Sequence, residues 1–351
     1  MIWRLLLIAA ALLAAVLPLP PSRIEQLYSQ GIFPRLQHGL TTLSNLTAFA
    51  LFDGFVIVGV GLWLWLTLRD WRRGSRPRLR FAGRTVLRTG TLAAAAYLGF
   101  LFCWGWNYQR PPLTEVLHFD RTQVTSESAR RLAIATVAQL NALHGDAHRE
   151  DWLPRDQIDQ RLLDAFWRTQ EEIGTAPRIV AGRPKRTMFD LYFRRAGVAG
   201  MTDPYFLETL VASDLLPFER PQVVAHEWAH LAGYNDEGEA NFVSWLATLQ
   251  GSAAHQYSGW LFLYAEVADA LGRAEFRAIA EGLDAGPRED LFAIRTRLTQ
   301  NVSRRLSAVG WSVYDQYLKA NRVESGTRSY GQVVSLILGT NADAGHRPVR
   351  R

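Results

Sequence analysis

Cysteine is almost absent from this chain of 351 residues, which contains Cys103 alone. A single cysteine can form neither an intramolecular disulfide nor a C-x-x-C metal site, so both kinds of framework are excluded. The sequence also lacks a Gly-rich phosphate loop, a G-x-S-x-G elbow and a Rossmann fingerprint. These absences exclude the best-known motifs of nucleotide-binding proteins and of α/β-hydrolases.

Basic charge is scarce outside one short stretch of the chain. Residues 69–88 contain eight arginines and one aspartate, a net charge of +7, whereas the whole chain carries a formal charge of +6. The remainder is therefore nearly neutral, and a long basic binding face is not expected. We predict no nucleic-acid partner.

Three long apolar segments lie near the N-terminus, at about residues 2–18, 49–68 and 89–106. Each is nearly free of charge and close to the length that a helix needs to cross a bilayer. The first segment could instead be a signal peptide, but the PLPPS sequence that follows it is a poor cleavage site. We predict three transmembrane helices in a membrane region of residues 1–107, with the lipid bilayer as partner.

The arginine-rich stretch predicts the orientation of these segments. Residues 69–88 are expected to form a cytoplasmic loop, because positively charged loops stay on the cytoplasmic side. The third segment then runs outward, and residues 19–48 form an external loop. Residues 108–351 are therefore predicted to be an extracytoplasmic domain of a multi-pass membrane protein.

This C-terminal domain has the composition of a water-soluble and mainly helical structure. Apolar residues recur at helical spacing in many segments. The predicted helices cover residues 126–145, 157–173, 256–271, 273–283, 288–308, 311–321 and about 330–338. Between residues 177 and 204, glycine and proline separate short β-rich pieces such as TMFDLYF. The predicted fold class is mainly α with a small β-rich region.

The sequence HEWAH at residues 226–230 is an H-E-x-x-H motif. Because positions i and i+4 share one face of a helix, His226 and His230 can bind one metal ion together. Glu227 lies about 100° round the helix, where it can accept a proton from metal-bound water without being a ligand. Pro221 and Gly233 fit the start and the end of such a helix. The predicted cofactor is Zn²⁺.

A third protein ligand is expected from the sequence YNDEGEANF that follows. Asp236 fits an N-cap, and Glu239 three residues later completes a capping-box pattern that opens a second helix. Glu237 is then left in the first turn, on the same small polar face as Asn241. We therefore prefer Glu237 as the third ligand and keep Glu239 as the alternative. Asn241 is predicted to orient a histidine.

These motifs resemble those of gluzincin metallopeptidases, in which a glutamate of an E-x-x-[AS]-[DN] helix is the third zinc ligand. The matching residues are His226, Glu227, His230, Glu237, Ala240 and Asn241. The gap between the motifs is shorter than is usual in gluzincins, and asparagine stands where aspartate is more common. The layout of the whole chain is more similar to an uncharacterised bacterial membrane group, the domain of unknown function 3810 family.

The resemblance implies a helical zincin-like metallopeptidase domain at the bacterial inner membrane, acting on a peptide or protein substrate outside the cytoplasm. With the residues themselves, it predicts a zinc-dependent metallopeptidase in which Glu227 is the catalytic base. One alternative is a non-catalytic zinc-binding receptor or envelope assembly factor. Another is a membrane scaffold in which the motif is incidental.

Other polar residues give weaker signals. His144 and His148 are also four residues apart, but Gly145 lies between them and no carboxylate pattern follows, so no metal site is predicted. His255 and the remaining histidines are predicted to lie at the surface. Three tyrosines are possible oxyanion donors but are better interpreted as packing residues: Tyr205, Tyr234 and Tyr257.

Overall fold

Helices form most of the computed structural model, which describes residues 2–72, 78–174, 177–321, 332–342 and 348. The α-helices are α1 (Ile2–Val16), α2 (Pro21–Arg23), α3 (Phe33–Asn45), α4 (Leu51–Arg72), α5 (Arg78–Cys103), α6 (Leu113–Val116), α7 (Ser126–Arg149), α8 (Gln160–Glu172), α9 (Asp190–Ala196), α10 (Arg220–Leu231), α11 (Glu237–Leu249), α12 (Ala253–Ala270), α13 (Arg273–Ala280), α14 (Ala285–Asn301), α15 (Arg304–Ala320) and α16 (Gln332–Gly339). A π-helical segment, Ile24–Ile32, joins α2 to α3. Strands β1 (Gly200–Thr202) and β2 (Thr209–Val211) form a two-stranded antiparallel sheet. The prediction of a mainly helical protein with a small β-region is confirmed.

Two of the N-terminal helices are long and apolar enough to cross a membrane. They are α4 and residues 79–103 of α5, judged by length and composition. Helix α1 has 15 residues and is therefore only about 22 Å long. It contributes to a third span only if α1 and the helical segment Pro21–Asn45, bent from it by 113°, are counted together. Of the three predicted spans, two thus correspond to candidate membrane helices, and the third depends on this bent pair.

The arginine-rich stretch is more helical than the sequence predicts. Helix α4 continues to Arg72 and α5 begins at Arg78, while residues 73–77 lie outside the described residues. Asp70 on α4 forms an ion pair with Arg88 on α5. The prediction of a loop over residues 69–88 is therefore wrong at both ends, because arginine and leucine favour helix and this ion pair joins the two helices.

The segment between α1 and α4 packs against the C-terminal part of the chain. Gln37 on α3 exchanges hydrogen bonds with the backbone of Val180, at 2.7 and 3.1 Å. Asn45 donates to the carbonyl of Ala181 at 2.8 Å and accepts from the N–H of Arg183 at 2.9 Å. The predicted external loop at residues 19–48 is thus largely helical, and it packs against residues 180–183.

Two carboxylates, of which Glu208 is buried and Asp53 is half-buried, fix the start of α4 to the same part of the molecule. Glu208 accepts hydrogen bonds from two backbone N–H groups in the first turn of α4, at 3.0 and 2.9 Å. It also pairs with the buried ammonium of Lys185 at 2.7 Å. Asp53 accepts from the N–H of Met188 at 2.7 Å. The C-terminal part of the chain and the arginine-rich stretch therefore lie at opposite ends of α4.

The hydrophobic core of the C-terminal part lies where α10, α11 and α12 pack against α7 and α8. Trp228 of α10, Trp245 and Phe242 of α11, and Phe166 of α8 are fully buried there. The indole N–H of Trp228 donates to the carbonyl of Gly182 at 3.0 Å. Because aromatic burial on this scale contributes several kcal/mol, it stabilises the packing of α10 and α11 in the core.

Three local predictions are wrong. Helix α7 begins at Ser126 as predicted, with Thr125 as its N-cap, but it does not end at Gly145 and continues to Arg149. Glycine costs a helix only about 1 kcal/mol, which the packing of α7 on α12 offsets. The predicted β-piece TMFDLYF contains the start of α9, since Asp190 lies in the first turn of that helix. Finally, His255 is buried and pairs with the Asp159 carboxylate at 2.8 Å.

Candidate metal centre

Helix α10 carries both histidines of the H-E-x-x-H motif. Pro221 lies in its first turn, and Gly233 follows its end with φ of +84°, a conformation that glycine adopts without strain. Both features agree with the sequence prediction. The imidazole rings of His226 and His230 lie 4.7 Å apart between centroids. The motif is therefore on a helix whose last residue, Leu231, directly follows its second histidine.

The first turn of helix α11 lies next to His226 and His230. Asp236 is its N-cap and accepts from two backbone N–H groups of the first turn, at 2.9 and 3.1 Å. The small polar face of α11 contacts α10 through Gln222, whose amide donates to Ser244 at 2.8 Å and accepts from Thr248 at 3.3 Å. This register brings Glu237, the first residue of α11, over the two histidines.

The side chains of His226, His230 and Glu237 converge, and we call them the α10–α11 centre. Glu237 Oε2 lies 3.1 Å from His226 Nε2 and 3.6 Å from His230 Nε2. All three potential ligand atoms lie within 4.8 Å of one another. The side chains are 15%, 6% and 3% exposed for His226, His230 and Glu237, respectively. The centre is therefore buried, with its open side at His226.

The hydrogen bonding of these groups suits a cation. Nδ1 of His230 contacts the carbonyl of Tyr234 at 2.7 Å, which favours the tautomer with a lone pair on Nε2. Glu237 Oε2 is buried and, among the described residues, no hydrogen bond of suitable geometry reaches it. In tetrahedral zinc sites, neighbouring ligand atoms are about 3.3 Å apart, as follows from bonds of about 2.0–2.1 Å. Two imidazoles and a carboxylate at these distances fit Zn²⁺.

Electrostatics at the centre also favour a positive partner for Glu237. Burial alone raises the pKa of the Glu237 carboxyl, but the facing imidazoles of His230 and His226 outweigh it and hold this pKa well below its usual range. Burial lowers the pKa of His230, whereas the charge of Glu237 raises it to about 9. A metal ion would replace the proton that His230 otherwise keeps.

Glu227 lies beside the ligand cluster and is held separately from it. Its Oε2 accepts from the hydroxyl of Thr202 on β1 at 2.9 Å. Its Oε1 lies against Gly200, where an added Cβ would be only 2.5 Å away. Burial raises the pKa of Glu227, although the two histidines oppose this. A buried carboxyl with a raised pKa suits a group that exchanges protons near neutral pH.

Glu239, the alternative ligand, points elsewhere. Its carboxylate accepts from the backbone N–H of Leu113 at 2.5 Å, at the start of α6. Burial, followed by the charge of Asp236, raises the pKa of Glu239 to about 8. The predicted capping box is therefore half correct: Asp236 caps α11, but the side chain of Glu239 does not return to that cap. Glu239 is not among the three converging groups.

Asn241 does not make the predicted contact. It is buried one turn after Glu237, but among the described residues its Nδ2 has no hydrogen-bond partner. Nδ1 of His226 likewise has no partner in this part of the chain. Whether Asn241 orients a histidine when a metal is bound stays a prediction.

Tyr314 on α15 also belongs to the centre, although no pattern in the sequence indicates it. Its hydroxyl donates to Oε1 of Glu237. The three tyrosines considered from the sequence lie elsewhere: Tyr205 donates to the carbonyl of Ala96, Tyr257 donates to Asp290, and the ring of Tyr234 packs under Arg110. Tyr314 is 77 residues from Glu237 in the chain, and only the packing of α15 reveals the contact.

Comparison with known protein families gives a match over most of the chain. A family model described as Protein of unknown function (DUF3810) matches residues 28–338, which include the whole α10–α11 centre and both long apolar helices. No curated protein and no solved structure matches the chain.

Proposed function

The chain belongs to the DUF3810 family, and we propose that it is a membrane-anchored, zinc-dependent metallopeptidase. The observation that carries this proposal is the convergence of two imidazoles and one carboxylate beside a second, separately held carboxylate. His226, His230 and Glu237 would hold the ion, and Glu227 would be the base. Separating the ligands from the base is what metal-assisted hydrolysis requires.

Each group has a distinct part in the reaction. A bound zinc ion would supply Lewis acidity, lowering the pKa of water and polarising the scissile carbonyl. Glu227 would accept the proton of the attacking water and deliver it to the leaving amine. Thr202 donates a hydrogen bond to Glu227 and so keeps its carboxylate in one orientation. The raised pKa of Glu227 supports both halves of this transfer.

Tyr314 is proposed as a positioning residue. Its hydrogen bond to Oε1 leaves Oε2 of Glu237 facing the two histidines. A ligating carboxylate whose second oxygen is hydrogen-bonded keeps its orientation better than a free one. We expect this contact to affect metal affinity more than proton transfer.

The sheet next to Glu227 supports a peptide as the substrate. The N–H of Ala212 donates to the carbonyl of Ala199, and the N–H of Asp203 donates to the carbonyl of Glu208. In an antiparallel pair these bonds alternate, so the backbone groups of Gly200 and Thr202 point away from β2. Among the described residues no further strand pairs with that edge. An extended peptide could add to it, with its carbonyls close to Glu227.

The contacts of α4 support an extracytoplasmic location of the site. The arginine-rich stretch is at one end of α4, and Glu208 and Asp53 attach the other end to the catalytic part. If the arginines stay in the cytoplasm, the centre lies outside. We therefore propose that the membrane region lies within residues 1–107 and that residues 108–351 form an external zincin-like domain. The segment Pro21–Asn45 packs against this domain.

Cells that produce the wild-type protein or the Glu227→Gln variant test this proposal. Fragments of proteins outside the cytoplasm should be present in the wild type and absent from the variant, while both proteins retain zinc. Glutamine keeps the size of glutamate and can accept from Thr202, so the fold should be preserved. Identical fragments with zinc retained would leave only a non-catalytic, zinc-binding role.

A further inference from the structure

A second group of two histidines and a carboxylate lies away from α10 and α11. It consists of His144 and His148 on α7 and Asp290 on α14, and we call it the α7–α14 cluster. Asp290 Oδ2 lies 2.8 Å from His148 Nε2 and 3.5 Å from His144 Nε2. The three potential ligand atoms are within 4.8 Å of one another.

The geometry of this cluster is fixed by the helices around it. Because α7 is continuous through Gly145, His144 and His148 lie on one face, with ring centroids 4.4 Å apart. Gly286, in the first turn of α14, allows close approach, since an added Cβ would be 2.4 Å from the ring of His144. The hydroxyl of Tyr257 on α12 donates to Asp290 Oδ2 at 2.6 Å.

Burial and access differ within the cluster in a way that suits a metal ion. The Asp290 side chain is only 10% exposed, whereas those of His144 and His148 are 28% and 35% exposed. The carboxylate is thus held inside, and the imidazoles leave a side open to water. The two nitrogen-to-oxygen distances of the α7–α14 cluster lie on either side of the roughly 3.3 Å expected between ligand atoms of tetrahedral zinc. The same is true of the two distances in the α10–α11 centre.

We propose that His144, His148 and Asp290 form a second binding site for a divalent transition-metal ion, with Zn²⁺ favoured by two imidazoles and one carboxylate. The ring neighbours of His148 are the aromatic residues Trp152, Phe218 and Tyr257. These three residues pack against the imidazole ring, and none of them is a carboxylate that could accept a proton as Glu227 would. The ion would therefore hold α14 against α7 and has a structural role.

Zinc content of the purified full-length protein, with any affinity tag removed, tests the proposal. The wild type should bind two equivalents of zinc and His226→Ala one. In the His226→Ala background, Asp290→Asn or His148→Ala should release the remaining equivalent. Asparagine at 290 still offers an oxygen to the Tyr257 hydroxyl, so we expect Asp290→Asn to fold like the wild type.

The pair of His255 and Asp159 provides a matched control. Its nitrogen-to-oxygen distance is also 2.8 Å, but it has no second histidine among the described residues. His255→Gln should leave the zinc content unchanged. Co²⁺ should give a visible d–d spectrum in the His226→Ala protein that Asp290→Asn abolishes. Absence of zinc from His226→Ala, or residual zinc that neither Asp290→Asn nor His148→Ala removes, would overturn the second site.

The same measurements of zinc content distinguish a failure of the α7–α14 cluster from a failure of the α10–α11 centre. One equivalent in the wild type that His148→Ala removes and His226→Ala does not would support the α7–α14 cluster and contradict the α10–α11 centre. One equivalent with the opposite behaviour would contradict the cluster and leave the proposed function intact.

Discussion

The α10–α11 centre and the α7–α14 cluster use the same three donors in different surroundings. Each has two histidines four residues apart on a helix, and each has one carboxylate from a second helix. Beside the first lie Glu227 and Thr202, a buried carboxylate and its hydrogen-bond donor. In both groups a tyrosine hydroxyl donates to the converging carboxylate, Tyr314 to Glu237 and Tyr257 to Asp290. Donor sets alone therefore indicate metal binding, whereas the neighbours distinguish hydrolysis from structural support.

Removing the carboxylate of Glu237, the proposed third ligand of the α10–α11 centre, should have the largest effect on metal affinity. Glu237→Gln should weaken zinc binding there by at least about 100-fold, since even partners of ligands change affinity by about 10–100-fold. Glu239→Gln, its matched control two residues away, should retain zinc because its carboxylate contacts Leu113. Calorimetric titration with zinc measures both. Loss of zinc from Glu239→Gln alone would reverse the assignment of the ligand.

Removing the Thr202 hydroxyl, which donates to Glu227, should lower the rate of peptide hydrolysis without changing the affinity for zinc. Thr202→Val keeps the shape of the side chain but leaves Glu227 Oε2 without its hydroxyl donor. We expect peptide hydrolysis to fall about 10- to 100-fold with zinc affinity unchanged. Thr202→Ser should restore most of the rate. A proportional loss of zinc and activity in Thr202→Val would mean that Thr202 supports the ligands rather than the base.

Tyr314→Phe should have a smaller effect on the same centre. Without the hydroxyl, Glu237 Oε1 loses a donor, and zinc affinity should fall by about tenfold. Tyr257→Phe is the corresponding change in the α7–α14 cluster and should weaken zinc binding there to a similar extent. Competition with a chelator of known affinity measures both variants. If neither variant changes the affinity, the phenols only pack against their carboxylates.

The smallest predicted effect concerns α12, the helix that contacts both regions. Burial, followed by the charge of Asp269, raises the pKa of Glu266 from 4.5 to about 7. Because the pKa is higher in the folded protein, the stability this group contributes is present below pH 4.5 and is lost as the pH rises through 7. Glu266→Gln should therefore stabilise the protein by about 1–3 kcal/mol at pH 8.

Thermal unfolding of both proteins across this pH range measures the effect. The two unfolding temperatures should agree below about pH 4.5, separate progressively as the pH rises to 7, and keep a constant separation above it. Curves that stay parallel between pH 4.5 and 7 would contradict the raised pKa. Glutamine at position 266 does not titrate, so the stability of Glu266→Gln should depend less on pH. Zinc binding at the two sites can then be compared across pH in that variant.

The sequence identifies one of these two regions and misses the other. The carboxylate of the α10–α11 centre lies seven residues after His230, and the N-cap Asp236 explains why Glu237 is in the first turn. Local spacing therefore predicts that whole group. Asp290 is 142 residues from His148, and Gly145 weakens the helical signal between the histidines. Only tertiary packing of α14 on α7 brings these groups together.

The fold shows the same division between local and long-range information. Periodicity predicts most helices, because amphipathic spacing and caps are local properties. It does not show that Pro21–Asn45 packs on the C-terminal part, since Gln37 and Asn45 bond with backbone groups more than 130 residues away. The roles of Thr202 and Tyr314 are hidden for the same reason. No spacing rule connects them to Glu227 or Glu237.

Hydrolysis of a mixed peptide library by purified, zinc-loaded protein tests the central claim most directly. The wild type should cleave, and Glu227→Gln should retain zinc and lose activity by about 100-fold or more. Glu239→Gln, handled identically, should cleave like the wild type. Equal activity of the wild type and Glu227→Gln, both with zinc bound, would contradict the claim that Glu227 is the base of a metallopeptidase.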